Sequence, residues 1–385
     1  MMKKTASKNL KVPNLRFPGF EGEWDSNRLG NIFSISAGGD IDTENISKRK
    51  TETFQYPIYA NAEKDKGLYG FSNTYKANEN VITVSGRGVN IGRAHARNHK
   101  FYPIVRLLVL QPKHTENNYF FEHQINRLNL YKESTGVPQL TAPQISTYTV
   151  FYPSVAEQKK IATFLALIDE RIQTQKKIIE GLEFLIKGIC QNLTKSKNWK
   201  KQYLRDVLIE RKEMNRSNHP IHSVSVSKGV INQIEYLGRS FAAKDTSNYN
   251  VVHFGDIVYT KSPTGNFPHG IIKQSFVQEE VAVSPLYGVY TPKNIYIGTI
   301  LHHYFNNPIN ATNYLHSLIQ KGAKNTINIT NQHFLDKEVL LPTDKDEIKA
   351  ISSLLNTLTQ KINIEESLRY NLIQQKNFLL QNLFI

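Results

Sequence analysis

Cysteine is nearly absent: Cys190 stands alone in 385 residues. One thiol cannot build a disulfide framework within the chain, which points to a reducing compartment. No run approaches 18 uninterrupted apolar residues, so no transmembrane helix is expected. The opening MMKKTASKNLKVPNLRFPGF has no long apolar stretch after its lysines, unlike a secretory signal. A cytoplasmic protein without a membrane partner is the expectation. Acidic residues are in deficit, 33 against 48 basic ones, for a net charge of +15. That surplus favours a polyanion as partner, nucleic acid first. A merely Lys-rich surface is the plainer alternative.

Catalytic signatures are missing too. There is no GxxxxGK[ST] phosphate loop. SGRGVNIGR (85–93) is glycine-rich but lacks the Lys-Ser/Thr ending, and reads as a turn after a strand. NNPIN (306–310) lacks the second proline and the aromatic of an amino-methyltransferase motif, and reads as a loop. EIK (347–349) reads as a helix start rather than part of a nuclease motif. The twelve histidines form no Cys/His cluster, and His302-His303 is an adjacent pair unlike HExxH, so no metal is expected. The chain reads as non-enzymatic.

What is present is a duplication. Hydrophobic residues at 39% and aromatics at 10% support real cores, and the length allows two domains or more. PSVAEQKKIATFLALIDERI (153–172) returns as PTDKDEIKAISSLLNTLTQKI (342–362). At an offset of about 190, Ile161 meets Ile351, Leu165 meets Leu355, Ile168 meets Leu358 and Ile172 meets Ile362. Upstream, VPQLTAPQISTYTVFYP (137–153) lines up with TINITNQHFLDKEVLLP (326–342). Trp24 and Leu29 of EWDSNRLGNIF line up with Trp199 and Leu204 of NWKKQYLRDVL, and NENVITVSG (78–86) with FGDIVYTKS (254–262). The order in both copies is Trp-entry, buried strand, closing strand, proline, helix.

The expected fold class is α+β: two mixed, mostly β domains and two long helices, related by an internal pseudo-twofold. The domains are 1–152 and 196–341; the helices fall in 153–195 and 342–385. Strands are expected at Val81–Val84, Ile104–Leu110, 221–226, 251–260 and 281–291, with a helical stretch near 295–321. In the first long helix Ile161, Leu165, Ile168, Ile172, Gln175, Ile179, Leu182, Ile186, Ile189 and Leu193 step by four and three, a heptad seam with one polar layer. The second gives Ile351, Leu355, Leu358, Ile362, Glu365, Arg369, Leu372, Lys376, Leu379 and Leu383. Each seam needs a cover, and the simplest cover is the other seam, antiparallel, with the polar middles fixing register. A helix of roughly 40 residues spans about 60 Å, more than the 34–36 Å or so of a DNA turn. A core or homodimerising role is the alternative. Gly181 and Gly188 either allow close helix approach or sit on the surface.

The opening VPNLRFPGFEGEWDSNRLGNIF (12–33), the PSVAEQKKIATFLALIDERI segment and the two-copy layout resemble the specificity subunit of type I restriction–modification systems, over nearly the whole chain. The resemblance implies two target-recognition domains, each reading one half of a split target in double-stranded DNA. It implies helices that set the unread spacer and dock two modification subunits, which bind S-adenosylmethionine. ATP-driven restriction subunits with Mg complete the complex, an adenine methyltransferase and nuclease, and this chain holds no cofactor or catalytic centre. Docking is assigned to Glu157, Gln158, Lys159 and Glu347. The copies differ there: Gln158 corresponds to Ile348, and Asp169-Glu170 to Thr359-Gln360, so unequal docking sites are expected. A stand-alone DNA-binding regulator that dimerises through its helices is the competing class, and an adaptor for another polyanion or protein a third.

Phosphates call for Lys and Arg, and base edges for Arg, Lys, Asn and Gln. The loop after the first buried strand offers Arg87, Asn90, Arg93, His95, Arg97 and Lys100. The corresponding loop of the second copy offers Lys261, Ser262, Thr264, Asn266 and His269. A second cluster precedes each closing strand: Lys132 and Gln139, then Lys321, Lys324 and Asn328. Solvated loop charge is the plain alternative for each.

Overall fold

The computed structural model describes residues 11–128, 130, 139–193, 199–239, 243–321 and 327–385. Two compact units share the chain. Unit 1 holds the residues up to Gln175 together with Leu368–Ile385, and unit 2 holds Lys176–Ser367. In chain order, unit 1 contains β1 (Asp25–Arg28), α1 (Leu29–Ile32), β2 (Phe33–Ala37), β3 (Ile46–Ser47), β4 (Tyr56–Tyr59), β5 (Leu68–Ser72), β6 (Val81–Val84), β7 (Ala94–Arg97), β8 (Tyr102–Pro103), β9 (Leu108–Pro112), α2 (Asn118–Asn126), α3 (Ala142–Ser146) and β10 (Thr149–Tyr152). The long helix α4 (Val155–Leu193) follows and ends in unit 2. Unit 2 contains β11 (Lys200–Tyr203), α5 (Leu204–Val207), β12 (Leu208–Glu210), β13 (His222–Ser225), β14 (Gly229–Asn232), α6 (Gln233–Leu237), β15 (Asn250–Val252), β16 (Ile257–Tyr259), β17 (Ile272–Gln274), β18 (Val281–Val283), β19 (Gly288–Pro292), α7 (Ile295–Phe305), α8 (Pro308–His316), β20 (Gln320–Lys321), β21 (Ile327–Asn328), α9 (Asn331–Leu335) and β22 (Glu338–Leu341). The second long helix, α10 (Lys345–Asn382), begins in unit 2 and ends in unit 1.

The duplication is written into the sheets. In unit 1 the entry strand β1 pairs antiparallel with the closing strand β10, Asp25 opposite Tyr152. In unit 2 β11 pairs in the same way with β22, Lys200 opposite Leu341. The main sheet of unit 1 runs β2-β9-β6-β7, and that of unit 2 runs β12-β19-β16-β17, the same order. Trp24 and Trp199 each start a copy and are both buried. The copies diverge away from that frame. Unit 1 adds a four-stranded sheet β3-β5-β4-β8, where unit 2 has the β13–β14 hairpin and the β15–β18 pair.

Four expected elements come out shortened or divided, each for a local reason. The 281–291 run becomes β18 and β19, in different sheets, parted by a turn in which Tyr287 N donates to Ser284 O (3.0 Å). The run Ile104–Leu110 becomes strand only from Leu108, because Val105 and Arg106 take positive φ (54° and 57°). The 251–260 run splits into β15 and β16 around Gly255, whose φ of +90° turns the chain. There the buried Asp256 accepts from His253 N (2.9 Å), Thr291 Oγ1 (2.9 Å) and a bidentate Arg211 (2.7 and 3.1 Å). The stretch near 295–321 breaks into α7 and α8, since Pro308 takes the first helical position of α8 and the Asn307 side chain caps it. Pro is tolerated there because that N–H has no helical partner.

The long helices bury part of the expected seam. Ile161 and Leu165 join Trp24, Leu29, Phe120, Leu383 and Phe384 in the core of unit 1, with Leu379 packed against it. In unit 2, Ile348, Ile351 and Leu355 share a core against which Ile186, Ile189 and Cys190 pack. In unit 1 the start of α4 packs with the end of α10, so the two helices run antiparallel there. Lys376 Nζ to Asp169 Oδ1 at 2.5 Å continues that register in unit 1. Ile179 is buried, and Ile168, Ile172, Leu182, Leu358, Ile362 and Leu372 are half-buried. Gly181 and Gly188 have nothing within 4 Å of where a Cβ would stand, so neither serves a close approach.

Candidate nucleic-acid interface

In unit 1 the loop between β6 and β7 leaves and returns at one point. Gly92 N donates to Ser85 O (2.8 Å) and Ser85 N to Arg93 O (2.9 Å). Gly88 and Gly92 supply φ of +80° and +85°, values that glycine adopts at no steric cost. At the base of the loop Gly86 N donates to Asn61 Oδ1 (2.8 Å), and Leu140 N donates to Gly86 O (2.8 Å). A Cβ on Gly86 would stand 3.0 Å from both Arg106 O and Leu140 O. That closeness brings the two nominated clusters of unit 1 together. Arg87 and Gln139 form a backbone bridge, and Arg87 Nη2 donates to Gln139 Oε1 at 3.2 Å. Asn90 is half-buried and Arg93 exposed.

Arg97 is not available to DNA. It is 4% exposed. Its Nε donates to Thr83 Oγ1 (3.0 Å), its Nη2 to Lys66 O (2.5 Å), and its guanidinium lies 3.6 Å from the Tyr59 ring centroid. Burial pulls its pKa down. It is a packed internal cation, and a strand-end Arg gives no warning of that in sequence. His95 faces Glu122 at 3.6 Å. Lys100 is exposed, donates to Tyr75 OH (3.1 Å) and sits 4.5 Å over that ring.

In unit 2 the loop after β16 is anchored at both ends. Thr260 N donates to Ile271 O (3.0 Å) and Ile271 N to Thr260 Oγ1 (3.0 Å). Lys261 holds a φ of +58°, and a Cβ on Gly270 would meet Lys261 N at 2.9 Å. Phe267, buried, pins a turn closed by reciprocal backbone bonds with Thr264 (3.0 and 2.9 Å). Ser262, Thr264 and Asn266 are left exposed at its tip. Lys261 is half-buried; burial lowers its pKa, and Glu210 acts against that. His269 Nε2 lies 3.3 Å from His316 Nδ1. Lys132, Lys324 and the side chains of Lys321 and Asn328 lie outside the described residues; the Lys321 backbone pairs with Ile327.

The nominated docking residues are mostly committed internally. Glu157, 1% exposed, takes a bidentate bond from Arg16 (2.9 and 2.8 Å). Gln158, also 1% exposed, accepts from Asn117 N (3.0 Å) and donates to Glu116 Oε2 and Pro153 O (3.0 Å each). Glu347 accepts from Trp199 Nε1 at 2.9 Å. Only Lys159 of the four is exposed. The expected docking contrast between Gln158 and Ile348 is therefore corrected: Ile348 is a core residue of unit 2, and Gln158 ties the helix start to the Glu116–Asn117 loop. The difference is one of internal packing. In the same way Glu347 holds its tryptophan, whereas Glu157 holds Arg16, and Trp24 Nε1 has no partner among the described residues.

Sequence reasoning missed a basic–aromatic surface on the extra sheet of unit 1. Lys48 lies 4.4 Å over Tyr69, Lys76 4.8 Å over Tyr102 and Lys100 4.5 Å over Tyr75. The signal was there in Lys48-Arg49-Lys50 followed by Gln55-Tyr56-Pro57-Ile58-Tyr59.

Residues 21–184 match the family model described as type I restriction modification DNA specificity domain. A putative type I specificity subunit of Mycoplasma pneumoniae, S.MpnORF507P, is 34% identical over 131 residues, 34% of this chain and 36% of that protein. The EcoprrI specificity subunit of Escherichia coli, a type I restriction enzyme subunit, is 25% identical over 157 residues, 40% of this chain and 38% of that protein. The matched stretch thus spans well under half the length of these relatives. The crystal structure of a type I restriction–modification S subunit from M. genitalium superposes with a TM-score of 0.69, covering 97% of this chain and 99% of that one at 13% identity. At that identity the likeness is one of fold.

Proposed function

We propose that this chain, related to the type I restriction–modification specificity subunits through residues 21–184, is the DNA-specificity subunit of such a system. The carrying observation is the duplication: two units with the same sheet order, each presenting a differently composed loop at the same place, after β6 and after β16. Two unlike loops on like frames suit two unlike half-sites. The +15 charge suits a phosphate backbone, which provides most sequence-independent affinity. The paired helices would set the unread spacer between half-sites and offer their exposed faces to two modification subunits. Those subunits would bring S-adenosylmethionine, and restriction subunits would bring ATP and Mg; this chain would contribute target choice and no catalysis. The competing regulator, which dimerises through its helices, has less support, because the ends of both seams are buried within the chain, Ile161 and Leu165 with Leu383 in unit 1 and Ile351 and Leu355 beside Ile186 and Ile189 in unit 2.

Mapping of methylated adenines in cells that express this chain with its modification partner tests the proposal. A two-part motif with a fixed unread gap is expected. A short continuous motif, or a pattern unchanged when this chain is omitted, would refute it.

A further inference from the structure

We propose that a cleft beside the β3-β5-β4-β8 sheet of unit 1 holds one unstacked nucleotide of a DNA strand, its base against tyrosine and its phosphate on lysine. The proposal rests on the DNA-binding reading above and goes beyond the two loops nominated for base readout. The cleft has a volume of about 510 Å³, inside the range of roughly 300–1,000 Å³ that small ligands occupy. Tyr56, Tyr59 and Phe71 line it, with Lys50, Lys100 and Glu79 also on its wall.

The aromatic wall is held in place. Arg97, buried, lies 3.6 Å from the Tyr59 centroid, and Tyr59 OH is 3.0 Å from His99 Nε2. The Tyr75 ring lies 5.0 Å from that of Tyr56, and Lys100 covers and bonds Tyr75. With Lys48 over Tyr69 and Lys76 over Tyr102, four cation–aromatic pairs fall between Lys48 and Tyr102. The usual density is about one per 70–80 residues. A set of fixed rings interleaved with cations is the surface on which single-stranded nucleic acid stacks, base on ring and phosphate on charge.

Concavity decides which form of DNA fits. Base edges in a duplex lie on a groove floor and are met by protruding side chains or elements. A shallow recess lined by tyrosines and lysines suits a nucleotide that has left the stack better than a base edge held on a groove floor. Glu79 repels phosphate from its side of the cleft and accepts from an exocyclic amino group, which favours a base that carries one. Lys50 and Lys100 are exposed, and Lys100, which donates one ammonium proton to Tyr75 OH, has two more to meet the backbone.

The test is fluorescence anisotropy of the full chain with labelled (dA)6, an abasic hexamer of equal charge, and the duplex target identified by methylation mapping. Expected results are hexamer binding, at least about tenfold weaker binding of the abasic strand, a similar loss with Tyr56→Ala, and retention with Tyr56→Phe. If Tyr56→Ala does not fold, Lys100→Ala takes its place and is expected to weaken hexamer binding. No hexamer binding, equal binding of the abasic strand, or hexamer affinity unmoved by these variants overturns the cleft. Hexamer binding with the expected dependence but no affinity for the duplex keeps the cleft and sinks the specificity-subunit reading.

Discussion

Phe384 is the most instructive single residue to remove. It follows the end of α10 yet is 3% exposed and belongs to the core of unit 1. Its ring stacks on Phe120 (5.1 Å, 26°), meets Trp24 edge-on (6.4 Å, 85°) and lies 5.7 Å from the Arg127 guanidinium. Truncating a buried Phe to Ala costs about 3–5 kcal/mol through lost transfer energy and the cavity left behind. For a cooperative unit of 150–250 residues, about 2–4 °C is lost per kcal/mol, so Phe384→Ala should lower the melting point of unit 1 by roughly 6–20 °C. The chain provides its own reporters, one tryptophan per unit: Trp199→Phe leaves Trp24 to follow unit 1, and Trp24→Phe leaves Trp199 to follow unit 2. The early transition should appear in Trp24 fluorescence. A shift of the Trp24 transition below about 2 °C would show that residues 368–385 do not complete the first core, and the pairing of α4 with α10 would fall with it.

Further expectations follow from other contacts. Gly181→Ala and Gly188→Ala should each stabilise the chain by up to about 1 kcal/mol, since a methyl meets nothing at either position; a loss in chemical denaturation would contradict that. Gln158→Ile should destabilise unit 1 by about 1–3 kcal/mol, because Asn117 N and Glu116 lose their partner, although Ile is what the second copy carries; a neutral Trp24 melt refutes it. Arg87→Ala and Lys261→Ala should weaken duplex binding, with a flatter salt dependence for a phosphate contact or about 1–3 kcal/mol lost at one base for a base contact. Unchanged affinity and methylation pattern in both would remove these loops from the interface. Unit 2 should also lose stability in mild acid. Burial lowers the His303 pKa to about 4 and that of His302 well below its ordinary value. The unfolded chain therefore binds more protons between about pH 6.5 and 4, and stability falls as pH drops through that window. His303→Gln should flatten the Trp199 melting profile there, and an unchanged slope would count against it.

Much of the frame was legible because periodicity is a backbone property. The seams from Ile161 and from Ile351 recur at helical spacing; Ile161, Leu165, Ile179, Ile351, Leu355 and Leu383 are buried, and Ile168, Ile172, Leu182, Leu358, Ile362 and Leu372 are half-buried. The two-copy order of elements reappears as two sheets with one strand order. What charge and residue type do not reveal is which side of the surface a side chain lies on. Arg93 and Arg97 look equivalent in RAHAR, yet one is exposed and the other supports Tyr59 from within. Glu157 and Gln158 look like an exposed helix start, and their partners Arg16, Glu116 and Asn117 come from segments distant in sequence. The breaks at Val105–Arg106 and Gly255 depend on left-handed backbone, which only the glycine announces. The tyrosine cleft needs β4 and β5 beside the 98–100 segment, a convergence that no local window contains.

The ends of the long helices also impose a timetable on synthesis. Leu383 and Phe384 fill the core around Trp24 and Phe120, but the ribosome delivers them about 190 residues after α4 ends. At about 5–20 residues per second, the first unit waits roughly 10–40 s with that apolar face uncovered. During that interval the nascent first unit is the part of the chain most in need of a chaperone, and the part on which a premature stop codon does its damage at greatest distance.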